Sequence, residues 1–223
     1  MKSLVIIFLL IFSIYSCQKT DDAITVVQKF HSFKKGTDLS KEYNLLSYES
    51  KFYTSLDIYK TVYSNRAELL DTADVFIIGT TREIDLDHPH KNFKLFETEA
   101  TTILKNSNDT IRNYYYCTTK KEDNTWKIVW LIYVNQIANS YKNEGDYQEA
   151  LNWYYEMVRL DPYCYYAYFQ LSHYYFNRGD YQSAKSYNDT AFIFSPKWNT
   201  KEHIRYNKVL EDSISNKRNN SCK

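Results

Sequence analysis

Apolar residues along this chain change rhythm several times, and each change marks a boundary. Leu4 to Ile14 is apolar throughout apart from Ser13, a run too short to cross a bilayer but long enough for a signal-peptide core. From Ala23 the spacing turns helical, with Ala23, Val26, Val27, Phe30 and Phe33 on one face. Lys34 and Lys35 suit that helix's C-terminus, and Gly36 suits a left-handed stop. The same logic predicts a second helix from about Ser40 to Ser47. A third runs from Ser55 to Leu70, its stripe made of Leu56, Tyr59, Tyr63, Ala67 and Leu70.

After Ala73 the period drops to that of extended chain. Asp74–Asp85, Asn92–Leu104, Thr110–Lys120 and Thr125–Leu131 are rich in β-branched and aromatic residues. Short polar turns separate them, at Asp87 to Lys91, Lys105 to Asp109 and Lys121 to Asn124. Alternation is sharpest at the end, where Trp126, Ile128 and Trp130 share a face. Residues 22–131 therefore read as an α+β module, three helices followed by a four-stranded antiparallel meander. That order resembles the curved-sheet cone of the nuclear transport factor superfamily. A cystatin-like sheet on a helix is the alternative.

Beyond Leu131 the chain repeats itself. Asn143-Glu144-Gly145-Asp146-Tyr147-Gln148-Glu149-Ala150 returns 34 residues later as Asn177-Arg178-Gly179-Asp180-Tyr181-Gln182-Ser183-Ala184. Tyr141 maps to Tyr175, and Asp161-Pro162 to Ser195-Pro196. With this period and these residues, 131–164 and 165–198 resemble tetratricopeptide repeats. Gly145 and Gly179 provide the turn inside each helix pair. Asp146 and Asp180 cap the second helices, with Glu149 as the reciprocal partner of a capping box in the first copy. Pro162 and Pro196 stop those helices. Ile137, Ala138, Tyr141, Leu151 and Tyr154 form the expected core of copy one, and Leu171, Ser172, Tyr175 and Ala191 that of copy two. Met157 and Asn188 depart from the family's preferences. A solenoid end needs a cap, and residues 199–215 are expected to supply it. There Asn199 would be the N-cap, and Ile204, Val209, Leu210 and Ile214 a partial apolar stripe. Residues 216–223 read as a polar tail.

The resemblance places a ligand groove on the first helix of each pair. It falls on Ile132, Asn135, Asn139 and Lys142 in copy one, and on Tyr166, Phe169, Gln170, His173 and Phe176 in copy two. The family's charged clamp for a peptide C-terminus is not matched: Asn135 stands in the place of its lysine and Gln170 in that of its second asparagine. Thr200 and Ile204 stand in the places of further cations. An aromatic, amide-rich groove for a protein or peptide partner is expected.

The leader carries a second resemblance. Ile14-Tyr15-Ser16-Cys17 is similar to the bacterial lipobox, with small Ser16 before the cysteine, although Tyr15 is larger than the family's usual residue. This implies a signal peptide over 1–16 and lipid on Cys17. Residues 17–21 would form a tether at the cell envelope, and Gln18 to Asp22 resemble the acidic tethers of outer-membrane and surface lipoproteins. Removing 1–16 takes away Lys2 and leaves the remainder formally uncharged, so attachment would depend on acyl chains and not on a basic patch.

Composition narrows the chemistry. With 28 Lys+Arg against 27 Asp+Glu in 223 residues, no run of cations is available to neutralise a nucleic-acid backbone. Four Gly and three Pro are too few for a loop-rich enzyme, and no phosphate-cradling, zinc-protease or nucleophile-elbow motif occurs. Glu97 and Glu99, two apart on one strand with Tyr115 on the next, are the best candidates for an acid–base pair inside the cone. A solvated sheet face is the plainer reading of them. Asp85, Asp87, His88 and His90 could approach a metal, but a solvated turn explains them more simply. Cys117 and Cys164 read as packing residues, and Cys222 completes an odd set that defines no disulfide framework. The sequence thus points to a non-catalytic interaction scaffold with no cofactor and no metal. A small-molecule binder or enzyme using the cone cavity is the second possibility.

Overall fold

The computed structural model describes residues 21–32, 39–70, 73–87, 90–104, 110–197 and 200–221. The leader with Cys17, the helix end at 33–36, the 105–109 turn, His88, Asn199 and Cys222 lie outside the described residues. Among the described residues four helices, not three, precede the sheet: α1 (Ala23–Ser32), α2 (Leu39–Asn44), α3 (Tyr48–Tyr53) and α4 (Leu56–Leu70). The additional one, α3, has six residues, too few to show a helical period. A local hydrogen bond starts it, with the Ser50 N–H donating to the Ser47 hydroxyl at the N-cap.

Strands β1 (Ala73–Glu83), β2 (Phe93–Leu104), β3 (Thr110–Glu122) and β4 (Thr125–Val129) form an antiparallel meander in sequence order. The β3–β4 turn is a two-residue connection, with Asp123 at φ 44° and Asn124 at φ 63°, values suited to the twist of a hairpin. The free edge of β4 is covered where Leu46 pairs in parallel with Ile128. There the Ser47 N–H donates to the Ile128 carbonyl and the Ile128 N–H to the Leu45 carbonyl, both at 2.8 Å.

Both faces of the sheet are used. Register places Thr98 opposite Tyr115, Phe96 opposite Cys117, and Thr119 opposite Ile128. That face receives α1, whose Ala23, Val26, Val27 and Phe30 are buried with Phe96, Cys117, Ile128 and Trp130 in one core. Each such aliphatic or aromatic side chain taken fully from water contributes about 1.5–3 kcal/mol. The opposite face carries Leu95, Glu97, Tyr116, Thr118 and Val129 and turns towards the helices that follow.

Those helices are α5 (Ile132–Asn143), α6 (Tyr147–Leu160), α7 (Tyr165–Asn177), α8 (Tyr181–Phe194) and α9 (Thr200–Ser221). Val129 and Leu131 are buried with Val134, Ala138, Leu151, Tyr154, Met157 and Leu171, and Phe93 and Tyr53 pack on the same cluster. The sheet and the helix pairs therefore share a core across their junction. Polar contacts reinforce it. The Tyr53 hydroxyl donates to Glu156 at 2.8 Å, and the His90 N–H donates to the Tyr163 hydroxyl at 2.6 Å.

Helix α9 differs from the expected cap. It continues through the supposed tail to Ser221, and of its predicted stripe Leu210 is buried while Ile204 and Val209 are exposed. Polar and aromatic groups hold it instead. His203 stacks on Phe192 at 4.1 Å, and the Asn188 amide donates to Asn207 at 2.7 Å. Asn188, one of the two departures from the repeat pattern, is thus a docking point for this helix.

Candidate interaction cleft

The turn between α5 and α6, and that between α7 and α8, are built alike. Gly145 sits at φ 85° and Gly179 at φ 73°, a region costly for any residue with a Cβ. The carboxylates of Asp146 and Asp180 then accept the N–H groups of Glu149 and Ser183, which caps α6 and α8. The reciprocal half of the expected capping box is absent. The Glu149 carboxylate takes an N–H of Asn152, while the Asp146 N–H donates to the Tyr141 carbonyl.

These turns pair the helices closely enough that Ala138, Ala150, Ala167, Ala184 and Ala191 are all buried. The nine expected groove residues do not form one groove. Ile132, Asn135 and Tyr166 line a cavity facing the sheet module. Phe169, His173 and Phe176 gather around Tyr206 of α9, whose ring stacks on His173 at 4.7 Å and meets Phe176 at 5.8 Å. Asn139 is enclosed between them, accepting from the Tyr154 hydroxyl and donating to Asn135. The reason is steric: the first module covers the start of α5, and α9 covers the concave side of α7.

A cleft of about 430 Å³ remains between these covers, lined by Lys142, Tyr147, Tyr154, Gln170, His173, Tyr174, Asn177 and Arg178, with Ala150 at its floor. Lys142 donates to the Gln170 side chain at 3.0 Å, and the Arg178 guanidinium lies 4.8 Å from the Tyr174 ring centre. Burial and then the Lys142 charge hold the His173 imidazole below its ordinary range, so it is neutral near pH 7. Among the described residues of this lining the ionised side chains, Lys142 and Arg178, are both cations, and apart from Ala150 the rest are aromatic rings and amides. Such a surface offers stacking, hydrogen bonds and attraction for a negative group. Tyr147, Tyr174, Asn177 and Arg178 were not among the groove residues expected from sequence. The one signal for them was the change from Glu144 to Arg178, which with Glu149 to Ser183 makes up the differences between the two matching octapeptides.

The proposed acid–base pair is separated by its surroundings, and it faces away from α1. Glu97 and Glu99 share the face of Tyr116 and Tyr114, whereas Tyr115 lies on the other. The Glu97 side chain is 4% exposed and ion-paired to Arg82 at 3.1 Å and Lys197 at 2.8 Å. Burial alone would raise its carboxyl, but hydrogen bonds from Lys197 and Tyr116 and the Arg82 charge outweigh this and hold it below the usual range. Glu99 lies 35% exposed, 3.9 Å from Arg112. One carboxylate is therefore an internal anchor and the other a surface group, and no shared proton joins them. This also corrects the solvated-face reading, since Glu97 lies beneath the segment that follows α8.

His90 packs its ring on Tyr163 at 5.5 Å, a contact between modules. Among the described residues no three His, Cys, Asp or Glu side chains converge as a metal site would require. Cys117 and Cys164 are unbridged, and burial pushes the Cys164 thiol well above its ordinary range, unlike a nucleophile.

The family model of the tetratricopeptide repeat matches this chain at residues 133–164 and again at 165–191. The chain thus carries a pair of these repeats, preceded by an α+β region, and the repeats mark it as containing a protein–protein interaction module. No curated protein matches the chain.

Proposed function

We propose that this protein is a lipid-anchored envelope protein that holds a protein partner in the cleft between α5, α6 and α7. The observation that carries this reading is the cleft, placed within matched interaction repeats and bounded by Lys142 and Arg178. Its partner would present an extended segment with an acidic or carboxylate-bearing group, flanked by residues able to stack on Tyr147 and Tyr174. The α+β region, which resembles the nuclear-transport-factor cone, serves as the platform that fixes the repeats relative to the anchor.

The anchor reading rests on the apolar run ending at Ser16-Cys17. Among the described residues no helix is long and apolar enough to cross a membrane. Cleavage before Cys17, lipid on that residue and an acidic tether would together hold the protein at the outer membrane.

Both parts are tested in one strain series. Labelled palmitate should enter the wild-type protein and not a Cys17→Ala variant. A partner co-purified from cross-linked envelopes should be retained by Glu99→Gln and lost with Lys142→Glu/Arg178→Glu. Loss of neither lipid nor partner in these variants would overturn the respective part.

A further inference from the structure

A second cavity, of about 480 Å³, opens where the two modules meet. Its origin is a mismatch in strand length. β4 pairs with β3 only from Thr118 to Glu122, so among the described residues β3 before Thr118 has β2 on one side and no strand on the other. Trp130 and Leu131 carry the chain away into α5, and a gap is left beside Tyr114–Cys117. Helix α1 closes it from one side through Phe30 and His31, and α5 and α6 from the other through Asn135 and Met157.

The lining has two properties that select a ligand. Aromatic rings dominate it, and among the described residues that line it none is Asp, Glu, Lys or Arg. A charged guest would lose its hydration and find no carboxylate, ammonium or guanidinium among these residues to offset the loss. Its volume falls within the range of sites that enclose small organic molecules. Asn135 accepts a hydrogen bond from Asn139 at 3.3 Å, so its own amide N–H groups are the donors it can offer a guest.

We infer that this joint cavity binds a small, uncharged, ring-bearing organic molecule. Its rings stack on the aromatic wall, and a carbonyl or hydroxyl receives the Asn135 amide. The site is separate from the partner cleft and does not depend on it. Because its walls come from both modules, an occupant adds contacts on each side and stabilises their junction.

The chain supplies its own reporter. It contains two methionines, Met1 in the leader and Met157 in the cavity wall, buried at 2% exposure. The full chain is prepared with isotope-labelled methionine methyl groups and titrated with indole, or with indole-3-acetate as its anionic relative. Indole should move the Met157 signal saturably and leave Met1 in place, with indole-3-acetate at least tenfold weaker. Asn135→Trp, or Ile132→Trp if the first variant misfolds, fills the space and should weaken indole binding at least tenfold. An unmoved Met157 signal, equal response to both probes, or unchanged binding in a folded filled variant would each overturn the assignment.

Discussion

The Glu97 carboxylate meets the Lys197 ammonium at 2.8 Å although the residues lie a hundred positions apart. The contact ties β2 to the segment following the second repeat. It is part of a small network: the Tyr116 hydroxyl donates to Glu97 at 3.1 Å and accepts the Lys197 N–H at 3.0 Å. Lys197 also lies 4.3 Å from the Tyr114 ring centre. Together with the shared apolar core, this makes the repeats an extension of the sheet module and not a separate bead on a linker.

Glu97→Ala should therefore destabilise the protein. Lys197 and Arg82 are 42% and 60% exposed, so solvent screens part of each attraction, and the loss should be about 1–3 kcal/mol. Glu99→Ala, at a solvated site, should change stability by about 0.5 kcal/mol or less. Urea unfolding of the two variants beside wild type measures the difference.

A second prediction concerns pH. Asp161 is buried at the start of the inter-repeat turn, where its carboxylate accepts the Tyr163 N–H at 2.9 Å. Burial pushes its pKa up to about 7, against the lowering effects of that N–H and the Thr118 hydroxyl. Between about pH 4 and pH 7 the folded state holds a proton that the unfolded state has released, so unfolding free energy falls as pH rises through that window. Burial and then Glu49 push Glu122 up to about 7 as well, with the same sign. Asp161→Asn should remove part of the slope, on the order of 2–4 kcal/mol between pH 4 and pH 8. Urea titrations at several pH values read it directly.

The glycine turns should show a cost that involves no contact. A Cβ at Gly145 or Gly179 would meet nothing within 4 Å, so Gly145→Ala and Gly179→Ala should each lose about 1 kcal/mol through backbone strain alone. Thermal unfolding should show lowered Tm values of similar size for both.

These turns were also the most legible part of the sequence, because Gly, Asp, Ala and Pro recur at a fixed offset and each has one local job. Strand order was legible for the same reason, since alternation and polar turns are local signals. Helix α3 was not, because six residues carry no period and its start depends on the Ser47 hydroxyl. The site was legible only in part. Of the residues expected from position along α5 and α7, Lys142, Gln170 and His173 line the cleft, whereas Phe169 and Phe176 are covered. What covers them is Tyr206, 37 and 30 residues onward, on a helix whose apolar stripe misrepresented the face it docks. Likewise nothing near Glu97 in sequence announced Lys197.

The role of Tyr206 leads to a further prediction. Its hydroxyl lies 3.3 Å from Ser172, and its ring contacts Phe169, His173 and Phe176. Tyr206→Ala should cost about 2–4 kcal/mol and loosen α9 from α7. Amide hydrogen exchange should accelerate in α7 and α8 while β2 and β3 keep their protection.

Occupation of the cleft beside Lys142 and Arg178 by a protein partner is what we propose. It is tested most directly by a photo-reactive amino acid placed at Tyr147 on the cleft rim, and separately at exposed Ile193 on α8, in living cells. A defined protein adduct is expected from position 147, abolished by Lys142→Glu/Arg178→Glu, and none from position 193. No adduct from 147, or the same adducts from both positions, would contradict it.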